Sequence, residues 1–229
     1  MKRTLQTVLV MLFMAMFLIS PVAAATSDGL EWGVALNDEF TFKYKVIEEG
    51  KTLLDEGVNF TVDSTPSTID DPLTSWNGID YVDIDMVYTN GTPLSFEAIY
   101  LIGIILAGGH FVVPIGNFTL LSELLMDSLF WTENTTLIND GTNWGARLSG
   151  LEDDMTMSVS VRYLKADGFI ARYTLEAINT TSGVRSSASL IRDGLGIDII
   201  GLLTDNILYV GIGVGVIVIL GAVVCMRRR

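Results

Sequence analysis

The sequence predicts a mainly β (α+β) fold, in which an antiparallel sheet with one or two helices forms an exterior domain and a single C-terminal helix crosses the membrane. Apolar and polar residues alternate with a period of two at 40–46 and at 155–163, as in half-buried strands. Turn sequences follow these segments, which is typical of antiparallel hairpins. Residues 207–226 form an apolar run without a charge, and about 20 apolar residues match the roughly 30 Å hydrocarbon core of a bilayer.

The first half of the exterior domain contains predicted strands joined by turns. The alternating segment 40–46 predicts the first strand, and the Glu-Glu-Gly-Lys sequence at 48–51 predicts a turn after it. A second alternating strand is predicted at 82–88, followed by an Asn-Gly pair at 90–91, which favours a tight hairpin. We predict the next strand at 94–106, and its apolar core is too short to span a bilayer.

The second half combines one helix with a meander. Leucines at helical spacing predict a helix at 118–130, and the sequence at 132–150 is typical of a loop. A meander of hairpins then follows. We predict its strands at 155–163, 169–178 and 184–191, with turns at 165–168 and 181–183.

The amino end has the pattern of a secretory signal peptide at 1–25. Lys2 and Arg3 precede a long apolar segment at 5–19, and a small-residue cleavage site ends at Ala25 or, alternatively, at Ala24. The apolar segment is longer than is usual, so an uncleaved anchor is the alternative. Both interpretations place the following residues outside the cell, because positive charge stays in the cytoplasm.

The carboxyl end has the pattern of a stop-transfer anchor. Three arginines, Arg227, Arg228 and Arg229, follow the apolar run directly and are expected in the cytoplasm. The sequence therefore predicts a single-pass type I protein of the cell membrane with its N-terminal domain outside. The predicted parts are a signal peptide (1–25), an extracellular β-rich domain (26–193), a juxtamembrane linker (194–206), a transmembrane helix (207–226) and a basic tail (227–229).

Charge and cysteine content exclude several classes of protein. Between residues 26 and 206 there are 9 basic and 27 acidic residues, a net charge of −18. Nucleic acid is therefore excluded as a partner, because its phosphates require a basic surface. Cys225, in the predicted span, is the only cysteine, so the exterior domain must be stabilised by its core rather than by disulfides.

Five Asn-x-Thr sequons lie between the signal peptide and the anchor. Such sequons accept N-linked glycans on the surface of exported proteins. The alternative is that a threonine-rich β protein forms such triplets incidentally. The predicted glycosylation sites are Asn59, Asn90, Asn117, Asn134 and Asn179.

The sequence contains no recognisable catalytic motif. His110 is the only histidine, so a catalytic triad or an imidazole zinc site would have to be built around it, and a structural role is the expectation. There is no glycine-rich phosphate loop before a helix and no thiol nucleophile in the exterior domain. We predict no enzymatic activity and no cofactor.

Two weaker patterns in the sequence concern calcium binding and the association of membrane helices. Asp80, Asp83 and Asp85 are candidate calcium ligands, but they lack the spacing of a calcium loop and are expected to form a solvated strand face. Gly211 and Gly215 form a Gly-x-x-x-Gly pair, which allows two membrane helices to approach closely. Glycine is also common in membrane helices that do not associate, which is the favoured interpretation, and self-association through this pair is the alternative.

Five segments of the chain carry a resemblance to known proteins. They are Trp32-Gly33-Val34, Asp38-x-Phe40-x-Phe42-x-Tyr44, Phe111-Val112-Val113-Pro114, Asp167-Gly168-Phe169-Ile170-x-Arg172-Tyr173-x-Leu175, and the glycine-rich anchor with its three arginines. Together they resemble archaeal secreted surface proteins that are anchored at the C-terminus, the choice-of-anchor type, which are themselves uncharacterised. The resemblance implies an exported, membrane-tethered domain and carries over no catalytic residue.

The function expected from the sequence is that of a non-enzymatic cell-surface protein. It would display an acidic, glycosylated β domain that serves in adhesion, in envelope structure or in the capture of an unknown extracellular ligand. One alternative is the binding of lipid or another small ligand by a curved sheet, with the apolar segment 98–106 beside the leucine-rich helix. The other is an extracellular hydrolase with a carboxylate pair.

Overall fold

The computed structural model describes residues 26–94 and 109–195. Eight antiparallel strands in this part form one sheet, accompanied by one α-helix and a short 3-10 turn at Trp76–Gly78. The strands are β1 (Glu39–Glu48), β2 (Lys51–Val62), β3 (Ile84–Tyr88), β4 (Thr135–Asn139), β5 (Asn143–Glu152), β6 (Met155–Leu164), β7 (Ile170–Asn179) and β8 (Arg185–Arg192), and the helix is α1 (Phe118–Met126).

The chain divides into two compact units, Met1–Asp193 and Gly194–Arg229, and all eight strands belong to the first. Within the two described ranges, no helix is both long enough and apolar enough to cross a bilayer. The predicted signal segment 1–25 and the predicted span 207–226 lie outside these ranges.

The order of the strands in the sheet is β3-β2-β1-β8-β7-β6-β5-β4. Two meanders, β3-β2-β1 and β8 to β4, therefore meet where the first strand pairs with the last. Six register pairs join β1 to β8, from Phe42 opposite Arg192 to Ile47 opposite Ser187. The N-terminal strand is thus held in the centre of the sheet, where it forms backbone hydrogen bonds on both sides.

The two faces of the sheet differ in composition because side chains alternate along each strand. One row of register partners on one face, the apolar face, is Tyr44, Leu190, Tyr173 and Val161. The adjacent row on the opposite face, the polar face, is Lys45, Ser189, Thr174 and Ser160.

The apolar face is covered by α1 and by loops at one end of the sheet, which we call the covered end. This end contains the turn between β6 and β7 and the C-terminal end of β2. Backbone N–H groups of Asn37 and Val113 donate to the carbonyl oxygens of Val62 and Gly168 there. These hydrogen bonds place the loops over this end of the apolar face.

Aromatic side chains fill the core at the covered end. The rings of Phe42 and Phe60 lie 4.7 Å apart, and Phe40 lies 4.1 Å from Phe169. The fully buried Trp144 on β5 stacks on Trp76 at 5.8 Å. Its indole N–H also requires a partner in this apolar surrounding, and α1 supplies one.

Helix α1 is positioned by a cap and by that hydrogen bond. Asn117 accepts a hydrogen bond from the backbone N–H of Leu120, which is the usual role of an N-cap residue. Ser122 accepts from Nε1 of Trp144 at 2.9 Å and donates to the carbonyl of Phe118 at 2.6 Å. The helix ends at Met126 rather than at residue 130, and just after it the hydroxyl of Ser128 donates to the carbonyl of Leu125 at 2.6 Å.

The predicted strands compare unevenly with the structure. The mainly antiparallel fold, the helix and the C-terminal meander are confirmed by β6, β7, β8 and α1. The prediction of a loop at 132–150 was wrong, because β4 and β5 occupy most of it, and β2 was not predicted. The glycine and alanine at 145 and 146 weaken the alternation in β5, whose backbone is paired along its length with β6. The strand predicted at 94–106 lies outside the described residues except at its first position.

Candidate ligand-binding groove

A groove of about 320 Å³ lies on the apolar face of the sheet, at the end opposite to the covered end. We call this end the groove end; it contains the hairpin turns that join β1 to β2, β5 to β6 and β7 to β8. Its volume lies at the lower end of the range of about 300–1,000 Å³ that is usual for small-ligand pockets.

Small side chains form the floor of the groove. Ala188 on β8 is the register partner of both Val46 and Leu175. Ala177 on β7 lies opposite Met157. An alanine between larger neighbours leaves a depression in the surface, since side chains on one face of a sheet stand side by side at fixed spacing.

A β-bulge produces the wall on the β2 side. Val46 pairs with Leu54 and Ile47 pairs with Thr52, so Leu53 has no partner on β1. A bulge of this kind bends its strand and redirects the side chain of the extra residue. The side chain of Leu53 lines the groove and is 62% exposed.

The opposite wall is formed by Met157 and Leu175. Met157 lines the groove and is 44% exposed, while Leu175 is half-buried. An unbranched thioether side chain can adapt to ligands of different shape. The two walls and the floor therefore form an open apolar surface that is supported by five neighbouring strands, in the order β2, β1, β8, β7 and β6.

The polar groups of the groove are few. Glu48, Ser186 and Ser187 are among its lining residues, and Glu48 is the only charged one among the lining residues that the structure describes. The hydroxyl oxygen of Ser186 accepts a hydrogen bond from the backbone N–H of Glu49 at 3.1 Å, which ties β8 to the turn between β1 and β2. A single lining carboxylate is not the facing pair that glycoside hydrolysis uses.

His110 lies in the core and not in the groove. It is 6% exposed, its ring stacks on Tyr81 at 4.3 Å, and its carbonyl accepts a hydrogen bond from the hydroxyl of Tyr163 at 2.6 Å. Within the described part of the chain its Nδ1 has no hydrogen-bond partner. Burial lowers the pKa of His110 to about 4, so the imidazole is neutral near pH 7.

Two of the predicted glycosylation sites lie in turns, and a third is the last residue of a strand. Asn90 and Asn134 are exposed, and Asn179 is half-buried at the end of β7. The side-chain oxygen of Asn90 accepts from the N–H of Thr92, and that of Asn179 accepts from the N–H groups of residues 181 and 182. These bonds involve the side-chain oxygen, so the amide nitrogen, to which a glycan would be attached, takes no part in them.

The other two sequons occupy regular structure. Asn59 lies within β2 on the polar face, where its oxygen accepts from the hydroxyl of Thr41 at 3.1 Å. Asn117 is the N-cap of α1, and its amide nitrogen donates to the carbonyl of Asp28 at 2.8 Å. A glycan on Asn117 would therefore be attached to a nitrogen that already joins the helix to the N-terminal loop.

The remaining site residues predicted from the sequence are aspartates near β3 and glycines and arginines near the C-terminus. Asp80, Asp83 and Asp85 are exposed on and before β3. In residues 26–94 and 109–195, no group of three or more His, Cys, Asp or Glu side chains is arranged to hold a metal ion. Gly211, Gly215 and Arg227 to Arg229 lie outside the described residues.

The sequence pattern did not predict the groove at this position. The alternation of Met157 with polar neighbours was recognised, but the sequence does not give the register that brings it beside Ala177. The consecutive leucines at 53 and 54 interrupt the alternation of β2, and this was the one signal for the bulge.

Comparison with known proteins finds no family model that matches the chain and no curated protein with significant similarity to it.

Proposed function

We propose that the chain is a non-enzymatic, membrane-anchored surface protein whose exterior β domain captures a small apolar ligand in the groove. The observation that carries this proposal is the open apolar groove on the sheet face. Adhesion and envelope structure, the other expectations from the sequence, require no such groove.

The exposed side chains around the groove support ligand capture. Leu53, Met157 and Val184 are 62%, 44% and 42% exposed at the groove end. A folded protein gains by covering such side chains, at about 25 cal/mol per Å² of apolar area removed from water. A contiguous apolar surface of this kind is typical of a binding site.

The place of the domain on the cell surface is proposed from the sequence. The signal pattern at 1–25, the apolar run at 207–226 and the five sequons are consistent with an exported, glycosylated and anchored protein. The exposed turn positions of Asn90 and Asn134 are suited to a bulky glycan.

The proposal is tested with the full chain in nanodiscs of zwitterionic lipid. The methyl groups of its nine methionines are labelled with ¹³C, and Met157→Leu assigns the groove signal. Decanol is then titrated as an uncharged apolar probe. We expect a saturable shift of the Met157 signal and no comparable shift of Met126, which is exposed on α1 away from the groove.

A matched pair of variants separates binding from general effects. Ala177→Phe fills the floor of the groove and should abolish the saturable shift. Thr174→Phe places the same ring on the same strand but on the polar face, and should leave the shift intact. A Met157 signal that stays unmoved by decanol in the wild type, or a shift that persists in Ala177→Phe, contradicts the proposed function.

A further inference from the structure

We propose that the groove selects apolar ligands that carry a positively charged group and disfavours those with an anionic head group. This inference rests on the proposed function and adds the chemical class of the ligand. It follows from the placement of charges around an otherwise apolar surface.

The Glu48 carboxylate is the charge closest to the ligand space, because Glu48 lines the groove at the end of β1. It takes part in no ion pair with any described residue. Lys51, its register partner across the turn, neither pairs with it nor lines the groove. The carboxylate is therefore available to a cation on a bound ligand.

The neighbouring turns add further negative charge. Glu49 follows Glu48 directly, and Asp153 and Asp154 form the turn between β5 and β6. The backbone N–H of Thr180 donates to the carbonyl of Asp154 at 2.7 Å, which joins that turn to the turn after β7. These carboxylates thus belong to the same end of the sheet as the groove.

Besides Lys51, which does not line the groove, two basic residues of this end form ion pairs with other residues. Arg185, at the start of β8, forms an ion pair with Glu176. Lys45 lies on the polar face, where its ammonium group is 3.8 Å from Asp55. A fatty acid, an alkyl sulfate or an acidic phospholipid would therefore meet carboxylates and find no cation among the lining residues.

A ligand with an ammonium group has the complementary arrangement. Its apolar chain would cover Leu53, Met157 and the alanine floor, and its charge would lie at the rim beside Glu48. Two opposite charges about 4 Å apart in water attract each other enough to change an affinity about fivefold. Four carboxylates at one end also raise the local concentration of cations.

The test uses the full chain in zwitterionic nanodiscs and the Met157 signal as reporter. Three probes with the same chain are compared at low ionic strength: decyltrimethylammonium, decanol and decyl sulfate. Each apparent affinity is divided by that of Glu48→Gln for the same probe, so that partitioning of the probe into lipid cancels. Glu39→Gln, the same change at the far end of β1, is the matched control.

We expect Glu48→Gln to weaken the binding of decyltrimethylammonium about fivefold, to leave the binding of decanol unchanged and to strengthen the binding of decyl sulfate. Glu39→Gln should change none of the three affinities by as much. If decanol binds but Glu48→Gln leaves all three affinities unchanged, the inference is overturned and the proposed function remains. If decanol itself produces no saturable shift, the proposed function fails and the inference fails with it.

Discussion

Acidification should destabilise the fold through His110 by a calculable amount. The imidazole is 6% exposed among aromatic rings, and burial lowers its pKa from 6.5 to about 4. The unfolded chain takes up a proton near pH 6.5, whereas the folded chain resists it until the pH falls towards 4. The stability associated with the neutral form is therefore complete above pH 6.5 and is lost as the pH decreases below that value.

The size of the effect follows from the two pKa values. Between pH 7.5 and pH 4.5 the unfolded state gains almost a full proton at this residue and the folded state gains only a fraction. Linkage converts this difference into a loss of about 2.5 kcal/mol in the free energy of unfolding. His110 is the only histidine, so no other imidazole contributes to the change.

The control is His110→Phe, which keeps a ring against Tyr81 and Trp76 but cannot titrate. Urea unfolding of the full chain in micelles is followed by tryptophan fluorescence at both pH values. Carboxylates titrate in both proteins, so their contribution cancels when the pH-dependent losses are subtracted. The wild type should lose about 2.5 kcal/mol more than the variant. Losses that agree within about 0.5 kcal/mol would refute the assignment of a neutral buried imidazole.

Three further changes test the packing at the covered end. Ser122→Ala leaves the indole N–H of the fully buried Trp144 without its hydrogen-bond partner. In the same urea assay it should lower the free energy of unfolding by about 1–3 kcal/mol. The control Ser149→Ala, at an exposed position of β5, should change that free energy little. Asn117→Ala and Thr119→Ala both remove the sequon, but only Asn117→Ala also removes the cap of α1 and the hydrogen bond to Asp28. Only Asn117→Ala should therefore lower the free energy of unfolding by about 1 kcal/mol. Equal losses in the two variants would show that a glycan, and not the cap, stabilises the helix. Gly168 and Gly183 both have φ = +70°, but a Cβ at 168 would meet the carbonyl oxygen of Val113, whereas a Cβ at 183 would meet nothing within 4 Å. Gly168→Ala should therefore lower the unfolding temperature more than Gly183→Ala does. Equal decreases would contradict the close approach at Gly168.

The local pattern of the sequence was sufficient for those strands whose two faces differ clearly. In β6 the alternation of Val159 and Val161 with serine is visible without any partner strand, and the turn sequence at 165–168 marks its end. In β5, by contrast, Gly145 and Ala146 carry little hydrophobic signal. Their extended conformation depends on pairing with β6, which is a contact between residues more than ten positions apart in sequence.

The candidate site depends even more on distant contacts. The floor of the groove brings together Ala177 and Ala188 from neighbouring strands, and its walls come from β2, β6 and β7. A shift of one residue in register would turn any of these side chains to the polar face. Register is set by the whole set of cross-strand pairs, and the sequence of a single strand does not contain it.

The sequence by itself determined the mainly β character, the acidic charge, the lack of a second cysteine with which a disulfide could form, and the expectation of export and anchoring. Periodicity, charge and hydrophobic length are properties of neighbouring residues, so they can be read without knowledge of the fold. The tertiary structure decided the pairing of β1 with β8, the bulge at Leu53, the burial of His110 and the position of Glu48 beside an apolar groove. Each of these arises from contacts between segments far apart in the chain, where packing and hydrogen bonding across the sheet determine which side chains meet.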